Sequence, residues 1–258
     1  MKLQLPARYY CRYPFEDPRG LIETVEEIDL ARTVFLLVDV YGRGHDPDDP
    51  VPDMPPLFLK RLHKEQSVII RDRIRPTRDA ARTVAIPIVY TENAWRPAAW
   101  AESEFATLCE RTESGCAGTF DQVYVGTDYN AYSNIIAPAP GDIVVQKTMY
   151  DSFFETTLDT VLRNLGAKYL ICVGFSAEIC LLNTVIGAMY RNYRVIVLRD
   201  CVLASEFADT IEDMAMTNFA IRYYEAMVGF TSTSEQFLAA LRSATGAASG
   251  SIGEEPPS

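Results

Sequence analysis

Short apolar runs alternate with amphipathic segments along the middle of the chain. The run Thr33–Asp39 is apolar until a carboxylate ends it, which is typical of a buried strand in a parallel sheet. Four further runs of similar character predict strands over Ile86–Tyr90, Ile143–Gln146, Tyr169–Val173 and Arg194–Arg199.

Apolar residues at helical spacing fill the intervals between these strands. The stretch Phe154–Leu165 has this spacing, and Gly166 follows its end as a typical C-terminal cap. Helices are also predicted over Pro56–Ala85, broken or ended at Pro76, and over Glu178–Tyr190 and Phe207–Met227. This alternation predicts the α/β class: a three-layer α-β-α sandwich with a mostly parallel sheet.

Three parts are predicted along the 258 residues. Residues 1–30 mix apolar and charged positions with prolines and predict an extended N-terminal arm, and residues 31–243 predict one domain. Residues 244–258, rich in Gly, Ala, Ser, Glu and Pro, predict a disordered tail. The aromatic, glycine-dotted segment 91–140 predicts loops with short helical pieces over the end of the sheet where α/β proteins bind ligands.

Composition excludes several function classes. With 24 basic and 35 acidic residues the net charge is −11, which disfavours nucleic acid and anionic membranes as partners. No apolar run is long enough to span a bilayer, and the N-terminus has no signal-peptide pattern, so we expect a cytoplasmic protein. Two histidines leave little room for histidine-based catalysis, and the six cysteines show no Cys-x-x-Cys spacing of the kind found in zinc sites.

Three chemically capable residues fall at the carboxyl ends of predicted strands. Asp39 ends the first strand, Lys147 follows the third, and Cys180 opens a helix after a glycine-led loop. Taken singly, each has a structural explanation: an Asx turn or helix cap, a surface lysine, a small core residue. Because carboxyl ends of parallel strands share one edge of a sheet, their joint placement favours a common site.

The chemistry of such a site is coherent without histidine. A helix N-terminus and Lys147 would both lower the pKa of the Cys180 thiol, so we expect a thiolate nucleophile. Asp39 would accept the thiol proton and later donate it to a leaving amine. The main-chain N–H groups of Ile179 and Cys180 would form an oxyanion hole.

These motifs resemble the isochorismatase-like cysteine hydrolases. The resemblance rests on Phe35–Asp39, Val145–Lys147, Ser152–Phe154, Thr157–Leu158, Gly174–Cys180, Thr184 and Asp200. It implies that Asp39, Lys147 and Cys180 form a catalytic triad, and that a non-proline cis peptide links Phe175 to Ser176.

Departures from the family pattern narrow the subgroup. Ala177-Glu178 stands where many members have Thr-Asp, so an acidic residue is kept but its side chain is longer. Metal-binding nicotinamidases have histidines after the second strand, and Thr91–Trp95 has none, so we expect neither a metal nor another cofactor. Isochorismatases that cleave a vinyl ether lack the nucleophilic cysteine, so Cys180 argues against that reaction.

The resemblance also indicates a substrate pocket. Asn93, Trp95 and Tyr150 resemble pocket residues of the ureidoacrylate amidohydrolases, and Tyr41 follows Asp39 closely enough to border the same pocket. An asparagine can donate to and accept from an amide or ureido group, Trp95 offers a flat wall, and Tyr150 could hydrogen-bond a carbonyl. The alternative is that Trp95 and Tyr150 are packing aromatics.

The sequence therefore predicts a cysteine amidohydrolase. Its substrate would be a small linear amide, above all a ureido or carbamoyl compound, cleaved through a covalent acyl-enzyme with release of ammonia or an amine. Two alternatives stay open: a nicotinamide- or maleamate-like amide as substrate, or a non-catalytic member that binds a metabolite. We expect a homodimer or homotetramer with no nucleic-acid or membrane partner.

Overall fold

A computed structural model describes residues 1–41, 60–94, 102–113 and 131–246 of the chain. The strands are β1 (Lys2–Cys11), β2 (Gly20–Asp29), β3 (Thr33–Val38), β4 (Ile88–Asn93), β5 (Ile143–Lys147), β6 (Tyr169–Phe175), β7 (Arg194–Leu203) and β8 (Phe230–Ser232). They form one sheet in the order β2-β1-β8-β7-β6-β3-β4-β5. The strands from β8 to β5 pair in parallel and only the pairs made by β1 are antiparallel, which confirms the predicted α/β class.

Helices cover both faces of this sheet. They are α1 (Lys60–Ile69), α2 (Arg75–Thr83), α3 (Glu104–Glu113), α4 (Leu158–Asn164), α5 (Leu182–Tyr190), α6 (Ala215–Tyr223) and α7 (Ser234–Thr245), with π-helical turns over Ile70–Ile74, Ala177–Leu181 and Tyr224–Val228. In the part of the chain that the structure describes, no helix is long and apolar enough to cross a membrane.

The central strand β3 shows how the two faces are divided. All six of its residues are buried, and successive side chains enter opposite cores. Phe35 and Leu37 join a core lined by α1, α2 and α7, whereas Val34, Leu36 and Val38 join one lined by α4, α5 and α6. A strand buried on both faces has no polar alternation, which is why its sequence is continuously apolar.

The first 30 residues differ from the predicted extended arm. They form a β-hairpin in which β1 pairs with β2 from Lys2↔Asp29 to Cys11↔Gly20, and β1 also meets β8 at Arg8↔Thr231. Leu3 and Leu5 are fully buried because they alternate with exposed polar residues and face the core. The hairpin is thus an integral edge of the sheet.

Several boundaries also differ from the sequence prediction. The helix predicted to break at Pro76 continues past it, since the proline lies at the start of α2 just after a π-helical turn. Helix α7 was not predicted, although Thr233 and Gln236 form a capping box at its start. It runs to Thr245, two residues into the predicted tail; residues 247–258 lie outside the described part, and the domain limits stay a prediction.

Gly174 allows β6 to approach β3 closely beneath the site described below. It pairs with Val38 and has a φ of +132°, a backbone conformation that residues with a side chain rarely adopt. A Cβ atom there would lie 2.0 Å from the carbonyl oxygen of Val38, which belongs to the backbone and cannot swing aside.

We expect Gly174→Ala to lower the free energy of unfolding by roughly 3–5 kcal/mol, the sum of backbone strain and overpacking. Urea denaturation at neutral pH measures it. Gly166→Ala is the matched control, since Gly166 has a φ of +66° with nothing within 4 Å of the added Cβ and should cost only about 1–2 kcal/mol. Equal losses for the two variants would show that the approach to Val38 is not tight.

Candidate active site

Three strand ends bring Asp39, Lys147 and Cys180 together. Asp39 directly follows β3, Lys147 is the last residue of β5, and Cys180 lies in the π-helical turn Ala177–Leu181 after β6. The Nζ atom of Lys147 is 2.8 Å from Oδ2 of Asp39 and 3.6 Å from Sγ of Cys180. The convergence that parallel topology predicts for these positions is present in the structure.

Lys147 is the centre of the cluster. Its side chain is buried, and its ammonium group donates to Oδ1 of Asn93 at 2.6 Å and to the carbonyl oxygen of Met149 at 3.2 Å, as well as to Cys180 Sγ. Asn93 ends β4 and is the register partner of Lys147. The lysine on the edge strand therefore reaches the carboxylate after β3 across the end of β4.

Asp39 is held by both its backbone and its side chain. Its φ of +51° places it in the left-handed region, and its N–H donates to the carbonyl oxygen of Thr91 at 3.1 Å. Oδ1 accepts a hydrogen bond from the Tyr41 hydroxyl at 2.8 Å. A non-glycine residue in this region is uncommon and is found at functional sites more often than elsewhere.

Tyr41 and Asn93, both predicted as substrate-binding residues, contact the triad itself. The Tyr41 hydroxyl accepts from the main-chain N–H of Asn93 at 2.7 Å and donates to Asp39, while Oδ1 of Asn93 accepts from Lys147. These contacts are thus with the acid and the lysine. The motif identified both positions, but one sequence cannot show which way their polar atoms point.

The electrostatics of the site differ from the predicted thiolate. Burial raises the pKa of the Cys180 thiol, the Asp39 carboxylate raises it further, and the attraction of Lys147 offsets only part of this. Burial lowers the pKa of Lys147, but its attraction to the Asp39 carboxylate and its contact with Cys180 outweigh this effect and leave a net rise. The resting site is therefore a thiol beside a carboxylate and an ammonium group.

The turn that carries Cys180 alters the predicted oxyanion hole. The N–H groups of Ile179 and Leu181 both donate to the carbonyl oxygen of Ser176, at 3.1 and 3.2 Å. Ile179 is thus already engaged, which leaves the N–H of Cys180, between these two donors, as the candidate. The peptide bond Phe175–Ser176, which precedes the turn, is cis.

Three buried hydroxyl groups next to the site are linked by hydrogen bonds, and no role was predicted for this hydroxyl series from the sequence. Thr184, one turn after Cys180, donates to Ser152 Oγ at 2.8 Å, and Ser152 donates to Thr91 Oγ at 3.0 Å. Thr91 in turn supplies the carbonyl that holds the N–H of Asp39. The hydroxyl series thus connects α5, which follows the turn that carries Cys180, to β4, which lies beside Asp39.

The remaining predicted pocket residues are only partly described. Tyr150 is partly exposed, and its ring meets that of Phe105 edge-on with centroids 5.1 Å apart. Phe105 belongs to α3 and was not predicted, because segment 91–140 has no periodicity that would place it. Trp95 lies outside the described residues.

The described ranges contain no group of three or more histidine, cysteine, aspartate or glutamate side chains placed to hold a metal ion. The polar atoms of the cluster instead face one another, with Lys147 as the cation beside Asp39. This arrangement is suited to moving a proton between sulfur and carboxylate.

Comparison with known proteins agrees with the fold and the motifs. The sequence profile of the isochorismatase domain matches residues 51–236, a range that holds Lys147 and Cys180 and begins after Asp39. Ureidoacrylate amidohydrolase RutB of Variovorax paradoxus is 30% identical over 176 residues, which are 64% of this chain and 66% of that protein. This chain thus spans just under two thirds of the length of that curated relative.

Two solved structures share the architecture. A cysteine hydrolase from Pseudomonas syringae pv. phaseolicola superposes with a TM-score of 0.66 at 21% identity, covering 84% of this chain and 95% of that one. N-carbamoylsarcosine amidase from Thermoplasma acidophilum superposes with a TM-score of 0.55 at 22% identity, covering 79% and 97%. At these identities the likeness shows the fold.

Asp39→Asn tests the electrostatics of the thiol. The change removes a charge that raises the pKa of Cys180, so a larger thiolate fraction should exist at neutral pH. We expect iodoacetamide to alkylate Cys180 about tenfold faster at pH 7.5, the effect of one pKa unit, followed by mass spectrometry of its peptide. Asp72→Asn, at an exposed carboxylate paired with Arg71, should leave the rate unchanged. A slower reaction in Asp39→Asn would contradict this electrostatic effect and would indicate that Asp39 deprotonates the thiol during alkylation.

Proposed function

The chain belongs to the isochorismatase domain family, and we propose that it is a cysteine amidohydrolase in which Asp39, Lys147 and Cys180 act together. The observation that carries the proposal is the buried Lys147 ammonium, which lies 2.8 Å from Asp39 Oδ2 and 3.6 Å from Cys180 Sγ. A base beside a thiol, with a cation fixed between them, is the arrangement that nucleophilic catalysis requires.

The first half of the reaction forms an acyl-enzyme. Asp39 accepts the Cys180 proton as Sγ attacks the substrate carbonyl carbon, and the carbonyl electron pair moves to the oxygen. The Cys180 N–H stabilises this oxyanion, and Lys147 holds the sulfur and the carboxylate in register. When the C–N bond breaks, the nitrogen takes the proton from Asp39 and leaves as ammonia or an amine.

The second half releases the acid. A water molecule gives a proton to Asp39 and adds to the carbonyl carbon of the thioester, or of the thiocarbamate formed from a ureido carbonyl. The C–S bond then breaks, and Asp39 returns the proton to Cys180. Because the resting thiol is protonated, the proton moves to Asp39 as Sγ attacks, and no free thiolate needs to accumulate.

Ureido and carbamoyl compounds are the proposed substrate class. The relatives named above act, by their names, on ureidoacrylate and on N-carbamoylsarcosine, which share a carbamoyl group on nitrogen. Tyr150 follows Lys147 by three residues and packs edge-on against Phe105, and we propose this pair as an aromatic wall of the substrate pocket. A nicotinamide- or maleamate-like amide is the second candidate, since the same machinery would cleave any small amide that fits.

Two further expectations belong to the proposal. We propose a cytoplasmic enzyme that assembles as a homodimer or homotetramer, with a small amide as its ligand. Size-exclusion chromatography with light scattering measures the assembly, and a monomer at micromolar concentration would contradict it.

Ammonia release from a panel of amides tests the activity. We expect turnover of 3-ureidoacrylate or N-carbamoyl amino acids to exceed that of nicotinamide and maleamate, and Cys180→Ala to lower kcat at least about 10⁴-fold, as removal of a catalytic nucleophile does. Cys11→Ala is the matched control, since Cys11 is also a free, partly exposed thiol, and it should retain full activity.

Two outcomes would contradict the proposal. Turnover that persists in Cys180→Ala would remove the nucleophile assignment. A wild-type protein that is silent on the whole panel, and whose Cys180 reacts with no electrophilic amide analogue, would instead support a non-catalytic member that binds a metabolite.

A further inference from the structure

The hydroxyl group of Tyr41 is oriented by its two neighbours. A main-chain N–H can only donate, so the bond of 2.7 Å from Asn93 makes the hydroxyl oxygen an acceptor. The single hydroxyl hydrogen is then left for Oδ1 of Asp39, 2.8 Å away, because a carboxylate can only accept. Burial and the nearby Asp39 charge raise the pKa of Tyr41, so the phenol keeps this hydrogen.

This orientation makes the two oxygens of Asp39 unequal. Oδ1 receives the Tyr41 hydrogen bond, whereas Oδ2 is buried and faces the Lys147 ammonium 2.8 Å away. The same ammonium also donates to Asn93, Met149 and Cys180, so its three hydrogens are shared among four acceptors. Oδ2 has two lone pairs and therefore keeps at least one for an incoming proton while the ammonium stabilises its charge.

We propose that Tyr41 is a positioning residue, which fixes the Asp39 carboxylate through Oδ1 and so makes Oδ2 the atom that accepts the Cys180 proton. The inference rests on the amidohydrolase function proposed above, and it gives Tyr41 a role other than contact with substrate. The proton passes from Sγ to Oδ2 and back, and Tyr41 neither gains nor loses one.

Other charged or titratable groups face Asp39 from the elements around it. Among the described residues these are Lys147 at the end of β5, Cys180 in the turn after β6, and Tyr132, whose ring lies 5.6 Å from that of Tyr41. Tyr132 feels the Asp39 charge but makes no hydrogen bond to it among the described contacts. Tyr41 is thus the group whose removal changes hydrogen bonding at Oδ1 alone.

Tyr41→Phe separates the two roles. Loss of a hydrogen bond to a charged group should lower kcat about 10- to 100-fold. KM should stay within about twofold, because the hydroxyl is occupied by Asp39 and Asn93. A rise in KM alone would mean a substrate-binding role and would overturn the proposal.

Tyr132→Phe is the matched control. It deletes a buried phenolic hydroxyl from the same aromatic cluster, and kcat, KM and the rate of Cys180 alkylation should stay within about twofold of wild type. If Tyr41→Phe does not fold, 3-fluorotyrosine at position 41 keeps the ring and both hydrogen bonds. Its more acidic hydroxyl donates a stronger hydrogen bond to Oδ1, so iodoacetamide should label Cys180 about twofold faster at pH 7, and an unchanged rate would overturn the proposal.

Cys180 alkylation gives a readout that needs no substrate. Without its Tyr41 bond the Asp39 carboxylate keeps more of its negative charge, which disfavours a neighbouring thiolate. Iodoacetamide should therefore label Cys180 at least about threefold more slowly at pH 7 in Tyr41→Phe. If wild type hydrolyses no amide while this slowing occurs, the proposed function fails and the role of Tyr41 stands. Unchanged alkylation together with unchanged kcat in an active enzyme overturns the role of Tyr41 alone.

Discussion

The order of the strands brings Lys147 and Asp39 together as an ion pair, and the geometry of the site depends on this pair. Its atoms lie 2.8 Å apart, with Lys147 2% and Asp39 8% exposed, so both charges are largely shielded from solvent. Removal of one partner of such a buried pair typically costs about 3–5 kcal/mol, because the other charge is left uncompensated. Asp39 follows β3 and Lys147 ends β5, and β4 lies between these two strands. A change in strand order or register would therefore separate the two charged residues.

The polar contacts around this pair are satisfied by residues that do not belong to the triad. Asn93 holds Lys147 with its side chain and Tyr41 with its main chain, and Tyr41 holds Asp39. The Tyr41 hydroxyl, the Asn93 main-chain N–H and the Lys147 ammonium each have acceptors, which makes the network rigid, since an unsatisfied donor in a buried site would be costly. The Cys180 thiol lies at the edge of this network, so its proton can move while the other hydrogen bonds stay in place.

Much of this could be predicted from the sequence, for a physical reason. Parallel strands must be buried on both faces, so runs such as Thr33–Val38 are recognisable, and polar residues after them share one edge. Asp39, Lys147 and Cys180 were therefore found without tertiary information. The predicted lowering of the Cys180 pKa was wrong. The sequence shows the helix N-terminus and Lys147, but it does not show that the thiol is buried beside Asp39. The directions in which the polar atoms of Tyr41 and Asn93 point depend on side-chain rotamers and strand register, which a motif does not specify.

The antiparallel hairpin at the sheet edge also constrains the order of folding. Strand β1 starts at Lys2, yet it lies between β2 and β8, and β8 ends at Ser232. During synthesis β1 is made long before β8, so the apolar face of Leu3 and Leu5 cannot be completed by β8 until the chain has been synthesised beyond residue 232. Contacts of such long sequence separation slow folding, so docking of the hairpin against β8 is expected to be a late step.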